Sequence, residues 1–136
     1  MTVSILTAKT LNISDDVDVA YAALGAKQFA REIGFLTTGQ CMISTAVSEL
    51  ARNILVYAER GTINLNLLEE DTRRGIEVVA EDAGPGIEDL EKAMEDNFST
   101  AGTMGVGLPG TRRIMDEFQI DTCIAQGTRV TVRKWI

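Results

Sequence analysis

Residues 61–86, GTINLNLLEEDTRRGIEVVAEDAGPG, contain the pattern that decides the fold class of this chain. Apolar and polar side chains alternate through GTINLNLLEE, and the β-branched run GIEVVAED follows the polar segment DTRRG, so two adjacent strands are expected. A short polar turn joins neighbouring strands in antiparallel order. The stretch therefore predicts a β-hairpin that ends at a loop rich in Asp, Gly and Pro.

Two helices are predicted before the hairpin, because the spacing of apolar residues there is helical. Ser14 and the acidic cluster after it are typical of a helix N-terminus, and Gly34 is typical of a helix C-cap. The second helix is expected over about residues 38–59. Its apolar stripe consists of Ile43, Val47, Leu50, Ile54 and Tyr57.

The rest of the chain continues this mixture of strands and helices. The other predicted elements are a strand over 2–8, helices over 87–96 and 108–118, and strands over 118–126 and 127–136. We therefore predict a single α+β domain over residues 1–136. It is expected to be a two-layer α/β sandwich, with helices packed on one face of a mixed, largely antiparallel sheet.

The composition excludes several classes of catalytic site. The chain has 136 residues, 45% hydrophobic and 24% charged, so it can bury a core without disulfides or structural metals. It contains no histidine, which excludes Ser-His-Asp and Cys-His catalysis within this chain. Cys41 and Cys123 lie in apolar stretches without a zinc-binding spacing, and we interpret them as buried free thiols in a reducing compartment.

The net charge indicates a protein or a small molecule as the partner. A formal charge of −7 opposes non-specific binding to nucleic acid or to anionic membranes, which requires clustered positive charge. The apolar runs are also much shorter than the ~20 residues that span a bilayer. We therefore expect a cytoplasmic location, with no nucleic acid and no membrane as partner.

Glu49 and Asn53 are four residues apart on the second predicted helix, so their side chains project from one face, at the edge of the core. A carboxylate in such a place can act as a general base, and an amide oxygen can coordinate Mg²⁺. A solvated pair of polar residues explains the same spacing. For these two residues alone, both interpretations stay open.

The segment EDAGPGI, Glu81 to Ile87, follows the second strand of the hairpin. Glycines on both sides of Pro85 allow the backbone to approach a flat ligand, and Asp82 at a strand end can accept a hydrogen bond from an exocyclic amine. Turns rich in Asp, Gly and Pro are common, so an ordinary turn after a strand is the alternative.

The third candidate is GVGLPG, residues 105–110, which matches the dinucleotide fingerprint G-x-G-x-x-G. We interpret the match as coincidental, because that fingerprint requires a strand directly before it and most of a βαβ unit after it. A Gly-rich loop that opens onto a helix still presents free N–H groups to an anion such as phosphate. The segment from Asn97 to Met104, just before it, contains a run of small side chains over residues 99–103 and is expected to form a mobile lid. For Arg112 and Arg113, a role near phosphate and a solvated position both stay open.

The order of these motifs resembles that of the GHKL ATPase superfamily over nearly the whole chain. An Asn with a Glu four residues before it, D-x-G-x-G after a strand, G-x-G at a helix start and a late Gly-Thr follow one another in that order. The runs SELARNILVYA, EDAGPGI and MEDNFSTAGTMGVGLPGTRRIMDEF resemble in particular the RsbT-type switch kinases of bacterial partner-switching systems. The resemblance implies the GHKL (Bergerat) ATP-binding fold.

The resemblance also implies roles for individual residues. Glu49 takes the place of the general base, Asn53 that of the Mg²⁺ ligand, and Asp82 that of the aspartate that binds the adenine amino group. The other residues implied to bind ATP are Gly84, Gly86, Ile87, Ser99, Thr100, Gly105, Val106, Gly107, Leu108 and Thr128. Pro109 departs from most of the superfamily, although a proline in the first turn of a helix costs little.

The implied function is that of an ATP- and Mg²⁺-dependent kinase that phosphorylates serine or threonine on a STAS-domain protein of a stressosome. Once released from this partner, such a kinase is expected to activate a downstream regulatory enzyme, a phosphatase or another output protein. Two alternatives are an anti-sigma factor that sequesters a sigma factor, and a hydrolase that only turns over ATP.

Overall fold

The computed structural model describes residues 3–95 and 107–136. The predicted lid, Asn97 to Met104, and the predicted site residues Ser99, Thr100, Gly105 and Val106 lie outside the described residues. The elements in chain order are β1 (Ser4–Ile13), α1 (Asp16–Ile33), α2 (Thr37–Ala58), β2 (Gly61–Glu70), β3 (Arg73–Asp82), α3 (Leu90–Ala93), α4 (Gly107–Ile114), β4 (Glu117–Cys123) and β5 (Gly127–Trp135).

The described strands form one five-stranded sheet in the order β1-β2-β3-β5-β4, and every neighbouring pair is antiparallel. The hairpin predicted from residues 61–86 is the β2–β3 pair, in which Gly61 lies opposite Asp82 and Glu70 lies opposite Arg73. β5 pairs with the other edge of β3 and places Thr128 opposite Asp82. The central strand, β3, therefore ends at Asp82, and the loop that follows it begins there.

The helices pack on the sheet and enclose the hydrophobic core between the two layers. In α2, the stripe residues Ile43, Val47, Leu50 and Ile54 are each at most 2% exposed. Their partners from the sheet include Ile63, Leu65 and Val78, all fully buried. Burial of this apolar face is the main stabilising contribution of the fold. The predicted two-layer α+β sandwich is confirmed.

The first helix has the termini that its sequence predicts. The Asp15 side chain accepts a hydrogen bond from the Asp18 amide, and the Asp18 side chain accepts one from the Asp15 amide, which forms a capping box. At the other end, Gly34 adopts φ 119°, a left-handed conformation that a residue with a side chain rarely takes. The capping box therefore sets the start of α1, and Gly34 sets its end.

Several predicted element boundaries are wrong. The strand expected over 2–8 extends to Ile13, because its second half pairs with the start of β2. The helix expected over 87–96 is the single turn Leu90–Ala93. The helix expected over 108–118 ends at Ile114, because the chain from Glu117 onward pairs with β5 as strand β4. Ile114 and Phe118 are four residues apart, as in a helix, so the sequence pattern does not reveal that the helix ends between them.

The interpretation of the cysteines as buried is also wrong, since both Cys41 and Cys123 are exposed. Cys41 is two residues from buried Ile43, which places it about 200° around the helix, on the outer face. Cys123 is the last residue of β4, which is an edge strand. In the described part of the chain, no helix is both long and apolar enough to cross a membrane.

Candidate functional site

One cavity, of about 360 Å³, lies between α2, the loop after β3, the short helix α3 and the start of α4. This volume is within the usual range of small-molecule sites. The predicted site residues that line it are Glu49, Asn53, Asp82, Gly86, Ile87, Gly107, Leu108 and Thr128. The three motifs, which are far apart in the sequence, therefore meet around one space.

The α2 side of the cavity carries Glu49, Asn53 and Tyr57, each one helical turn after the previous one. Glu49 is only 8% exposed, although its side chain is ionisable. Tyr57 was predicted to belong to the core stripe, but it is 37% exposed and forms part of the cavity wall. The polar residues of α2 therefore reach the cavity beside the edge of its apolar stripe, which otherwise packs in the core.

The Glu49 carboxylate is hydrogen-bonded from two elements. Its Oε2 accepts a hydrogen bond from the Gly107 amide at 3.4 Å, and its Oε1 accepts one from Arg52 Nη1 at 3.3 Å. Gly107 is the first residue of α4, where backbone N–H groups lack partners within the helix. The contact therefore joins the carboxylate to the helix terminus at which phosphate binding is predicted.

Asp82 ends β3 and begins a tight turn. Its Oδ1 accepts a hydrogen bond from the Gly84 amide at 2.9 Å, and this bond fixes the carboxylate at the entrance of the turn. The residue is half-buried and lines the cavity. A carboxylate held in this way can accept a hydrogen bond from an amino group of a ligand.

The two glycines after Asp82 are explained by close approach of the backbone to other elements. Gly86 has φ +81°, and a Cβ atom there would lie 2.6 Å from the Cys123 carbonyl oxygen. A Cβ atom on Gly84 would lie 2.6 Å from Ala58 Cβ at the end of α2. Gly84 is not among the residues that line the cavity; it instead lets the loop pack against α2.

Thr128 lies opposite both Asp82 and Thr122, since β5 is between β3 and β4. The Thr122 and Thr128 hydroxyl groups are 2.9 Å apart, within hydrogen-bond distance. Thr122 Oγ1 also accepts a hydrogen bond from the Ile87 amide at 2.8 Å. The sequence interpretation missed Thr122, and only the register of β4 against β5 could have identified it.

Several residues that line the cavity were missed because their types alone do not indicate a site. An apolar wall is formed by Leu50, Ile54, Ala80, Ala93 and Val130. Glu88, Asp89 and Lys92 add charged groups from the segment that contains α3. An apolar wall beside a hydrogen-bond acceptor suits a flat heteroaromatic ring with an amino group. Arg112 and Arg113 are exposed and do not line the cavity.

The donor set fits a metal ion that is bound together with phosphate. Within residues 3–95 and 107–136, no cluster of three or more His, Cys, Asp or Glu side chains could hold a metal ion. Asn53 nevertheless brings an amide oxygen to the cavity beside Glu49. Mg²⁺ commonly takes one or two protein oxygens and completes its coordination with water and substrate phosphates. The residues present therefore fit Mg²⁺ in that mode.

Comparisons with known proteins agree with this arrangement. Residues 14–134 match the model of the histidine kinase-like ATPase domain. The chain is 43% identical to the serine/threonine-protein kinase RsbT of Bacillus subtilis, over 93% of this chain and 95% of that protein. It is 36% identical to the anti-sigma F factor of Caldanaerobacter subterraneus, over 69% of this chain and 68% of that protein.

Two solved structures share the fold at low sequence identity. The mycobacterial sensor histidine kinase MprB superposes with a TM-score of 0.55 at 17% identity, covering 95% of this chain and 97% of that chain. A chain of the SiaB-SiaC complex from Pseudomonas aeruginosa superposes with a TM-score of 0.56 at 12% identity, covering 97% and 91%. The matched region contains the whole cavity. The chain therefore belongs to the histidine kinase-like ATPase family, within its group of RsbT-like serine/threonine-protein kinases.

Proposed function

We propose that this chain is a cytoplasmic protein kinase that uses ATP and Mg²⁺ to phosphorylate a serine or threonine of a STAS-domain protein. Residues 1–136 form the single domain that does this. The observation that carries the proposal is the cavity itself. It brings Glu49, Asn53 and the start of α4 to one end, and Asp82 with its glycine loop to the other.

Each part of the cavity suits one part of ATP. Asp82 accepts a hydrogen bond from the adenine amino group, and the apolar residues beside it contact the ring. The amide of Gly107 and the positive end of α4 bind phosphate oxygens. Gly105, Val106, Ser99 and Thr100, for which the proposal rests on the family resemblance alone, extend the phosphate site.

The lining charges explain why a cation would be required. Among the described residues that line the cavity, the carboxylates are Glu49, Asp82, Glu88 and Asp89, and Lys92 is the one cation. This surface repels a polyphosphate unless positive charge is supplied. Mg²⁺, held through the Asn53 amide oxygen, supplies that charge when bound.

Glu49 acts as the general base. The substrate hydroxyl oxygen forms a bond to the γ-phosphorus of ATP, the bond from that phosphorus to the β–γ bridging oxygen breaks, and ADP leaves. The hydroxyl proton passes to the Glu49 carboxylate. The protein partner excludes water while it covers the cavity, so transfer to the hydroxyl competes with hydrolysis.

The test is incubation with ATP, Mg²⁺ and purified STAS-domain proteins of the host organism, followed by intact mass spectrometry. We expect a STAS protein to gain one phosphoryl group on a serine or threonine. Steady release of inorganic phosphate, with an acceptor of unchanged mass, would instead indicate a hydrolase and contradict the proposal.

We further propose a partner-switching role within a stressosome, in which release from the phosphorylated STAS protein frees the kinase to activate a downstream regulatory enzyme. The second candidate function is that of an anti-sigma factor, favoured by the 36% identity to an anti-sigma F factor. Size-exclusion chromatography with the host's sigma factors separates the two. A nucleotide-dependent complex with a sigma factor supports the second candidate.

A further inference from the structure

Arg52 is a charged residue beside the cavity to which the proposed function gives no role. It lies three residues after Glu49 and directly before Asn53 on α2. Its Nη1 donates a hydrogen bond to Glu49 Oε1 at 3.3 Å, and the two side chains form an ion pair. Because both residues belong to one helix, this contact does not require any loop to be ordered.

The two sides of this ion pair differ in their exposure. The Arg52 side chain is 40% exposed, whereas the Glu49 residue is 8% exposed. An exposed i,i+3 pair normally adds little to stability. The main effect of this contact is therefore to orient a nearly buried carboxylate, and its contribution to the free energy of unfolding is small.

The Glu49 carboxylate has two oxygens, and its two hydrogen bonds differ in kind. Oε1 is held by the guanidinium of Arg52 on the same helix, whereas Oε2 accepts from the Gly107 amide across the cavity. The Gly107 amide is also the donor that the proposed function assigns to phosphate. When phosphate takes this donor, Oε2 loses its partner while Oε1 keeps Arg52.

We propose that Arg52 is the positioning residue for the general base: it holds Oε1 of Glu49, so that Oε2 faces the substrate hydroxyl once nucleotide occupies the Gly107 amide. This inference rests on the proposed function. Arg52 acts through Glu49, without contact to the reacting atoms. Proton transfer requires the acceptor oxygen within hydrogen-bond distance of the hydroxyl, and small displacements of such a group lower the rate steeply.

The first experiment measures single-turnover transfer to the STAS-domain protein in Arg52→Gln, at saturating Mg²⁺ and over a range of ATP and acceptor concentrations that reaches saturation. We expect a rate about 10- to 100-fold lower, with unchanged KM for both substrates and an unchanged Tm. Arg52→Lys should restore part of the rate, since an ammonium group can donate to one carboxylate oxygen.

The second experiment is a double-mutant cycle. If Arg52 acts through Glu49, then Arg52→Gln should slow wild type but cause no further loss in the Glu49→Ala background. The matched control is Arg129→Gln, which removes an ion pair of similar length, 3.4 Å to Glu81, away from Glu49. This control should transfer phosphate at the wild-type rate.

The inference would be overturned if Arg52→Gln lowered the transfer rate in the Glu49→Ala background by the same factor as in wild type. A raised KM for the acceptor in Arg52→Gln would also overturn it. Either result would assign Arg52 to direct contact with the partner. Failure of wild type to transfer phosphate would contradict the proposed function instead. In that case the carbon NMR signal of the Glu49 carboxylate still tests the positioning. It should shift in Arg52→Gln and stay in place in Arg129→Gln, and an unmoved signal in Arg52→Gln would refute the inference.

Discussion

At the scale of single residues, Glu49 and Asp82 are both carboxylates, but their surroundings prepare them for different tasks. Glu49 is nearly buried and hydrogen-bonded to the start of α4, whereas Asp82 is half-buried at a strand end and bonded to the amide of Gly84. The first arrangement suits proton transfer near phosphate, and the second suits recognition of an amino group.

Asp82→Asn should weaken ATP binding at least about tenfold, because an amide can place a donor against the amino group of adenine. Isothermal titration calorimetry with ATP and Mg²⁺ measures the effect. Unchanged affinity for ATP, together with equally tight binding of GTP, would remove Asp82 from the adenine site.

Glu49→Ala should retain nucleotide but transfer phosphate at least ~100-fold more slowly, since a general base is lost while the adenine contacts stay. Asn53→Ala, one turn later on the same face, is the matched comparison. It should lose Mg²⁺-dependent binding as well. A normal transfer rate in Glu49→Ala, measured with radiolabelled ATP, would show that the base lies elsewhere.

At the scale of elements, the predictions from sequence succeeded where local periodicity decides the structure. The second helix, its stripe from Ile43 to Ile54 and the β2–β3 hairpin follow from spacing alone. The end of α4 could not be predicted in this way. It is set by the pairing of β4 with β5, whereas Ile114 and Phe118, four residues apart, have the spacing of a continuing helix.

The site shows the same division between local and distant information. Glu49 and Asn53 could be identified as a pair from their i,i+4 spacing, and the family resemblance supplied their roles. Thr122 and Tyr57 could not be identified, because the first depends on strand register and the second on which side of α2 the cavity opens. Residue type and spacing reveal neither the strand register nor the side of α2 on which the cavity opens.

The loop after β3 should tolerate no side chain at Gly86. Gly86→Ala should lower the free energy of unfolding by about 1–3 kcal/mol, because it combines a positive φ with a contact to the Cys123 carbonyl. Gly25→Ala in α1 is the control, since its Cβ would lie 3.9 Å from Lys9 Nζ, an ordinary contact. Urea denaturation of both variants measures the difference, and equal stability would contradict this explanation of the glycine.

The capping box of α1 should make stability depend on pH through Asp18. Hydrogen bonds, first of all from the Ser14 amide, lower the pKa of Asp18 from its ordinary value of 3.8. A lowered pKa contributes stability that is present above the unfolded-state value and is lost as the pH falls through the folded-state value. Asp18→Asn should therefore lower Tm at about pH 7 and have less effect at about pH 3. Asp16→Asn, which removes a neighbouring charge of the same first turn, is the control for charge alone.

At the scale of the whole molecule, the sheet and the helices bring together one acidic cavity in a chain of net charge −7. The long-range pairing of β3 with β5 puts Asp82 next to Thr128, and the packing of α4 near α2 puts Gly107 next to Glu49. The central claim is that this composite cavity binds ATP together with Mg²⁺.

The most direct test is a titration of ¹⁵N-labelled protein with a non-hydrolysable ATP analogue, followed by amide NMR with and without Mg²⁺. We predict the largest shifts at Asp82, Gly86, Gly107 and Thr128, and much weaker binding when Mg²⁺ is removed. Shifts confined to residues outside the cavity, such as the β2–β3 turn at Asp71, or no shifts at saturating analogue, would contradict the claim.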